Sequence, residues 1–191
     1  KKLLAFSDNV QDAAHKAGFF NSRTWRFYLR RAIQQFALDK GKDLPLDEFQ
    51  TRFIEYWHKK MTDEELVSFF IAPNMTWMRA YEKMIAEGAL DNSEEAKRLM
   101  DGIERRIKYE IMLEFGVSSR IGRTLEKSGC SVISFDIEKV KAIVDRVRIR
   151  TINELGVLTK SQPKAFEHMV IGFLHIMRSN GAFNDSVYNS F

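Results

Sequence analysis

The stretch SRTWRFYLRRAIQQFALD, residues 22–39, decides the fold class. Trp25, Leu29, Ala32, Ile33 and Phe36 recur every three or four positions, and the residues between them are basic or polar apart from Phe27. That spacing places one apolar stripe along one side of an α-helix. The same period repeats through most of the chain. Pro45 and Asp47 open a helix with Phe49, Phe53, Ile54 and Trp57 inward, and Thr62 with Glu65 has the form of a capping box ahead of Leu66, Phe69 and Phe70. Pro73 and Asn74 break that helix, and another is expected from about Met75 to Ala86, ending near Gly88. Asn92 or Ser93 caps a long helix with the stripe Ala96, Met100, Ile103, Ile107 and Ile111. Asp136 caps a helix buried through Ile137, Val140, Val144 and Val147. The last helix opens at residues 161–163, is expected to bury Phe166, Met169, Val170, Phe173 and Met177, and ends at Asn180 and Gly181.

Upstream of residue 22 the pattern changes. Residues 3–6 (LLAF) read as a buried strand, followed by a cap at Ser7 and Asp8 and a short helix over residues 9–17 that stops at Gly18. A second short strand is expected over residues 131–135. The fold class is therefore mainly α, an irregular multi-helix bundle of about eight helices with at most one or two short strands. A lone strand at residues 3–6 cannot satisfy its own backbone hydrogen bonds, so the expectation is a piece of a larger sheet-containing protein. The opening residue, Lys1 rather than a methionine, points the same way.

The chain has 191 residues, 45% of them hydrophobic and 29% charged, enough for a real core. Its net charge of +4 is unevenly spread: 12 basic against 7 acidic residues over 1–60, 7 against 12 over 61–115, and 11 against 7 over 116–191. Two basic ends flank an acidic middle, which either neutralises them internally or leaves a basic face for a polyanion. No apolar run is long enough to cross a membrane, and no signal peptide is visible. A single cysteine, Cys130, excludes an internal disulfide and favours a reducing compartment, with the cytoplasm as the expected location.

The motifs of most catalytic chemistries are missing. The sequence has no G-x-x-x-x-G-K-[ST] phosphate loop, no G-x-G-x-x-G turn, no H-E-x-x-H and no paired cysteines. His168 and His175 lie seven apart beside Glu167, and they read as ordinary helix histidines rather than as a metal site. Asp8 and Asp12 share a helix face, where acids near a helix start are favourable in their own right.

Residues 4–14, LAFSDNVQDAA, resemble the F-[ST]-D-x-x-Q-D-A segment of large superfamily 2 DEAD/DEAH-box helicases. In that family the segment begins the second RecA-like lobe, near motif IV. The resemblance assigns Phe6, Ser7, Asp8, Asn9, Gln11 and Asp12 to it. Two further stretches are similar to runs farther along such helicases: residues 115–126, FGVSSRIGRTLE, and residues 173–182, FLHIMRSNGA. The resemblance implies three regions: the start of the second lobe over 1–20, a helical insertion over 21–116, and a helical accessory region over 117–191. It implies ATP and Mg²⁺ as cofactors of a parent helicase and none for this chain. The P-loop, the DEAD/DEAH box and the late arginine-rich motif are absent, so the chain is not expected to be an enzyme in isolation. The implied partners are nucleic acid, DNA rather than RNA, and the remaining helicase domains, with no membrane.

Two basic clusters are candidate nucleic-acid contacts. Ser119, Arg120 and Arg123 sit in a Ser/Gly-rich stretch suited to phosphate, while Arg23, Arg26 and Arg30 line the side of the 22–39 helix away from its apolar stripe, with Phe27 or Tyr28 available for stacking. Arg146, Arg148 and Arg150, after Lys139 and Lys141, point in different directions and read as plain solvated surface. The alternative function is a protein–protein interaction module using Phe69, Phe70, Met75, Trp77 and Met78 as anchors.

Overall fold

The computed structural model describes residues 10–40, 42–115, 124–155 and 163–182. These residues form seven α-helices and one 3₁₀ turn, with no strand among them. The architecture is mainly α. The chain divides into two compact units, Lys1–Ile111 and Met112–Phe191, with the division falling inside the fifth helix.

The first unit starts with α1, Val10–Asp39, a single helix of 30 residues. The expected stop at Gly18 does not occur. A glycine keeps its backbone N–H and disfavours a helix interior by only about 1 kcal/mol relative to alanine, and no proline follows to enforce a break. Trp25, Leu29, Ala32, Ile33 and Phe36 are buried as the spacing requires. The Trp25 indole N–H donates to the Phe70 carbonyl at 3.1 Å, which ties the middle of α1 to the end of α3.

Helix α2, Leu46–His58, follows Pro45, and α3 is Asp63–Phe70. The capping box forms as read: Thr62 Oγ1 accepts from the Glu65 N–H at 3.3 Å, and Glu65 Oε2 accepts from the Thr62 N–H at 3.0 Å. Aromatic rings fill the space between these helices. Phe36 meets Phe49 at 4.9 Å and Phe53 at 5.7 Å, and Phe70 meets Phe53 at 5.8 Å and Trp57 at 5.7 Å, all edge to face.

The helix expected to begin at Met75 begins later. Pro73–Met75 is a 3₁₀ turn, and α4 is Arg79–Glu87. Thr76 Oγ1 donates to the Pro73 carbonyl at 3.0 Å, and the Trp77 indole donates to the Asn74 carbonyl at 2.8 Å. Side chains thus occupy carbonyls that an α-helix starting there would use. Gly88, at φ 76°, ends α4 in the left-handed conformation.

Ser93 caps α5, Glu94–Phe115, its Oγ accepting from the Ala96 N–H at 3.1 Å. Asp91 Oδ1 in turn accepts from the Ser93 hydroxyl at 2.5 Å and the Ser93 N–H at 3.1 Å, while its other oxygen accepts from Lys83 at 2.6 Å. The hydrogen bond from Lys83, then those from Ser93, pull the Asp91 carboxyl down to about 2 from its ordinary 3.8. A carboxyl depressed on folding contributes stability above its unfolded value and loses it as pH falls through the folded one. Acid unfolding followed by circular dichroism should therefore show Asp91→Asn losing part of the pH dependence between about pH 4 and pH 2; an unchanged acid limb would refute this role. Along α5, Ala96, Leu99, Ile103, Ile107 and Ile111 are buried. Leu99 takes the place expected of Met100, which is half-buried.

The second unit contains α6, Ile137–Leu155, and α7, Pro163–Ser179, packed on one another. Asp136 caps α6 as read, its Oδ1 accepting from Glu138 N–H at 3.0 Å and Lys139 N–H at 3.3 Å. Val140, Val144, Phe166 and Val170 form the core, flanked by Phe135, Ile171 and Leu174. Ile137, Val147, Met169, Phe173 and Met177, expected inside, are exposed. A pair of helices covers only part of each apolar stripe, and these five side chains lie outside the cluster that the pair buries. Residues 131–135 form no strand, since no other strand among the described residues is there to pair with. The strand expected over residues 3–6 lies outside the described residues.

Candidate nucleic-acid interface

From Ala13 to Leu38 the sequence carries Lys16, Arg23, Arg26, Arg30 and Arg31 and no acidic residue. Because α1 is unbroken, these cations stand on one rod. At about 100° per residue, Phe20, Arg23, Phe27, Arg31 and Gln34 fall opposite the buried stripe, and all five are exposed. Arg26 and Arg30 are half-buried on one flank. On that flank the Arg23 guanidinium lies 4.3 Å from the centre of the Phe19 ring. On the other flank Tyr28 meets Phe69 of α3 at 6.3 Å, and Phe69 stacks on Trp57 at 6.1 Å.

Among the described residues, no carboxylate of the acidic middle pairs with Arg23, Arg26 or Arg31 on this face. Those carboxylates pair close to home: Asp91 and Glu87 with Lys83, Glu94 with Lys97, and Glu110 with Arg106 at 2.5 Å. His58, at the end of α2, lies between Asp63 at 3.6 Å and Glu104 at 3.0 Å. Arg23, Arg26 and Arg31 have no carboxylate partner among the described residues. A row of cations without carboxylate partners among the described residues, interrupted by exposed rings, has the chemistry to hold a polyphosphate backbone.

The second basic cluster, Ser119, Arg120 and Arg123, lies outside the described residues, as do Phe6, Ser7, Asp8 and Asn9. Gln11 and Asp12 stand in the first turn of α1. What flanks residues 116–123 is well defined. The Arg178 guanidinium, at the end of α7, donates to both Glu126 oxygens at 2.6 and 3.0 Å and also to the Phe115 carbonyl. Glu114 accepts from the Leu125 N–H at 2.8 Å. The residues on either side of 116–123 are thereby held by one arginine and one glutamate. This also joins the two later stretches that resemble helicase sequences, since Glu126 ends one and Arg178 lies in the other.

The Arg178 side chain is only 11% exposed. Removing its partner strands a nearly buried charge, a loss of about 3 kcal/mol. Glu126→Ala should lower the denaturation midpoint of the chain accordingly, with Glu126→Asp retaining part of the loss. A change below about 0.5 kcal/mol would mean the pair is only a surface contact.

The remaining candidates separate. His168 is exposed, while His175 packs edge-on against Phe135 at 4.8 Å and lies 3.3 Å from Arg178. No group of three metal-binding side chains occurs among the described residues. On α6, Lys139, Lys141 and Arg150 pair with Asp136, Glu138 and Glu154. Of the apolar residues considered as protein anchors, Phe70 is buried, Met75 and Met78 are half-buried, Phe69 belongs to the aromatic flank of α1, and Trp77 is 75% exposed. Phe20, Arg31 and Lys16 were not among the sequence candidates. An apparent helix end at Gly18 hid Phe20 and Lys16. Arg31 was legible from its position one turn beyond Phe27.

No helix of the described residues is long and apolar enough to cross a membrane. No protein-family model, curated protein or solved structure matches the chain.

Proposed function

We propose that this chain is a non-catalytic helical part of an ATP-dependent superfamily 2 DNA helicase, and that the outward face of α1 contacts the nucleic acid. The observation that carries the reading is the row Arg23, Arg26 and Arg31, without carboxylate partners among the described residues, on a helix with no acidic residue from Ala13 to Leu38. Support for the helicase assignment comes from the resemblance of residues 4–14 to the motif IV segment, whose Gln11 and Asp12 run directly into α1. A helix rooted in that lobe and projecting cations would extend the nucleic-acid channel. ATP and Mg²⁺ would be held by other parts of the parent, and its setting would be the cytoplasm.

The test is fluorescence anisotropy of labelled DNA and RNA strands against the chain across a range of salt. Affinity should fall as salt rises, because phosphate contacts release counterions. Absence of binding at low salt would remove the nucleic-acid assignment. The second reading, a protein–protein interaction module, is favoured by the exposed Trp77. It predicts partner binding that is insensitive to salt and lost on Trp77→Ala.

A further inference from the structure

Charge alone does not account for the outward face of α1. Four large aromatic side chains stand on or beside it, with Phe19 47%, Phe20 46%, Phe27 63% and Tyr28 48% exposed. Leaving rings in water forgoes burial worth roughly 25 cal/mol per Å². A face that only gripped phosphates would be served as well by polar residues. The rings alternate with the cations along the helix in the order Phe19, Phe20, Arg23, Phe27, Tyr28, Arg31. Phe20 and Phe27 lie seven residues apart, about 10 Å along the axis. Arg23 and Arg31 lie eight apart, about 12 Å. With stacked nucleotides about 3.4 Å apart along a strand, each interval spans about three nucleotides. Bases can therefore meet Phe20 and Phe27 while phosphates between and beyond them meet Arg23 and Arg31.

Two features fix the sort of nucleic acid. Stacking on a side chain needs a base face that is not already stacked, and a duplex offers one only at its ends. Selectivity by sequence needs hydrogen-bonding groups at the base edges, whereas Phe20 and Phe27 offer a base only a ring face, on which any base can stack. We infer that α1 is a sequence-independent platform for single-stranded nucleic acid, with bases stacked on Phe20 and Phe27 and phosphates held by Arg23 and Arg31. This rests on the nucleic-acid reading above and adds to it the strandedness of the ligand and its mode of binding.

The experiment measures binding of the 191-residue chain to three fluorescein-labelled probes at one salt concentration. They are a thymidine strand of about 12 nucleotides, an abasic strand with the same number of phosphates, and a duplex of the same length. The thymidine strand should bind about tenfold or more tighter than the abasic strand, and tighter than the duplex. The double variant Phe20→Leu/Phe27→Leu keeps apolar bulk and helix propensity but lacks rings. It should lose about tenfold on the thymidine strand, with the salt slope and the far-ultraviolet circular dichroism unchanged. Equal affinity for thymidine and abasic strands, equal affinity for the duplex, or an unchanged double variant overturns the stacking platform. If the Arg23→Ala/Arg31→Ala variant still lowers the salt slope in that case, the phosphate-binding reading survives alone. Failure of every probe to bind overturns both.

Discussion

Arg23→Ala/Arg31→Ala is expected to weaken binding of a single strand by roughly 60-fold at 50 mM salt and to reduce the salt slope by about 1.4. Both figures follow from counterion release. Each phosphate contact on a single strand contributes about 0.7 to the slope of log affinity against log salt. Between 50 mM and a 1 M reference, where this contribution vanishes, that is roughly 0.9 of a decade per contact, and two contacts are removed. Both side chains are exposed and lack carboxylate partners among the described residues, and alanine is the best helix former, so the fold should not suffer. The control is Lys139→Ala/Lys141→Ala, which removes the same charge from α6, where both lysines already pair with Asp136 and Glu138. Equal losses in both double variants would show that net charge, and not the face of α1, governs binding. A slope unaltered by the arginine pair would show that these side chains touch no phosphate.

The largest effect on stability is expected at Phe53. Its side chain is fully buried, with its ring 5.7 Å from Phe36, 6.2 Å from Trp57 and 5.8 Å from Phe70. Phe53 thus joins α1, α2 and α3 at one point. Phe53→Ala should cost about 3–5 kcal/mol, from lost transfer energy and from the cavity left among rings that cannot collapse into it. Folded domains hold only about 5–15 kcal/mol in total, so the first unit would be brought close to unfolding at room temperature. Urea denaturation followed by tryptophan fluorescence reads the change, since Trp57 lies in the cluster and the Trp25 indole bonds to the Phe70 carbonyl. Phe53→Leu, which keeps most of the volume, should lose far less. A loss under about 1 kcal/mol for the alanine variant would show that the aromatic cluster does not support the unit.

The core and the cationic face share α1, whose buried side carries the core and whose other side carries the cations. Trp25 anchors the helix to the Phe70 carbonyl and Phe36 packs on Phe49 and Phe53, so the outward residues are held on a fixed rod. A rigid array limits the side-chain freedom lost when a ligand binds.

Features that depend on neighbours within one turn were legible in the sequence. The Thr62–Glu65 box, the Ser93 and Asp136 caps, and the helix ends at Gly88 and Gly181 all follow from hydrogen bonds or backbone angles spanning a few residues. The buried stripe of α1 followed from its period alone. Other features required the tertiary structure. Whether Gly18 ends a helix is a matter of about 1 kcal/mol, too small for local sequence to settle, and its outcome set the length of the cationic face. The choice of Leu99 over Met100, and the exposure of Met169 and Phe173, depended on where the facing helix lies, since period identifies an apolar side but not how wide a strip of it is covered. The Arg178–Glu126 pair joins residues 52 apart, and a charge on the sequence carries no mark of its distant partner. By itself the sequence determined the helical class, the caps and the supply of unbalanced arginines, because these are local or compositional. Only the tertiary structure decided which cations lack a carboxylate partner among the described residues, because that depends on where the carboxylates of the acidic middle pair.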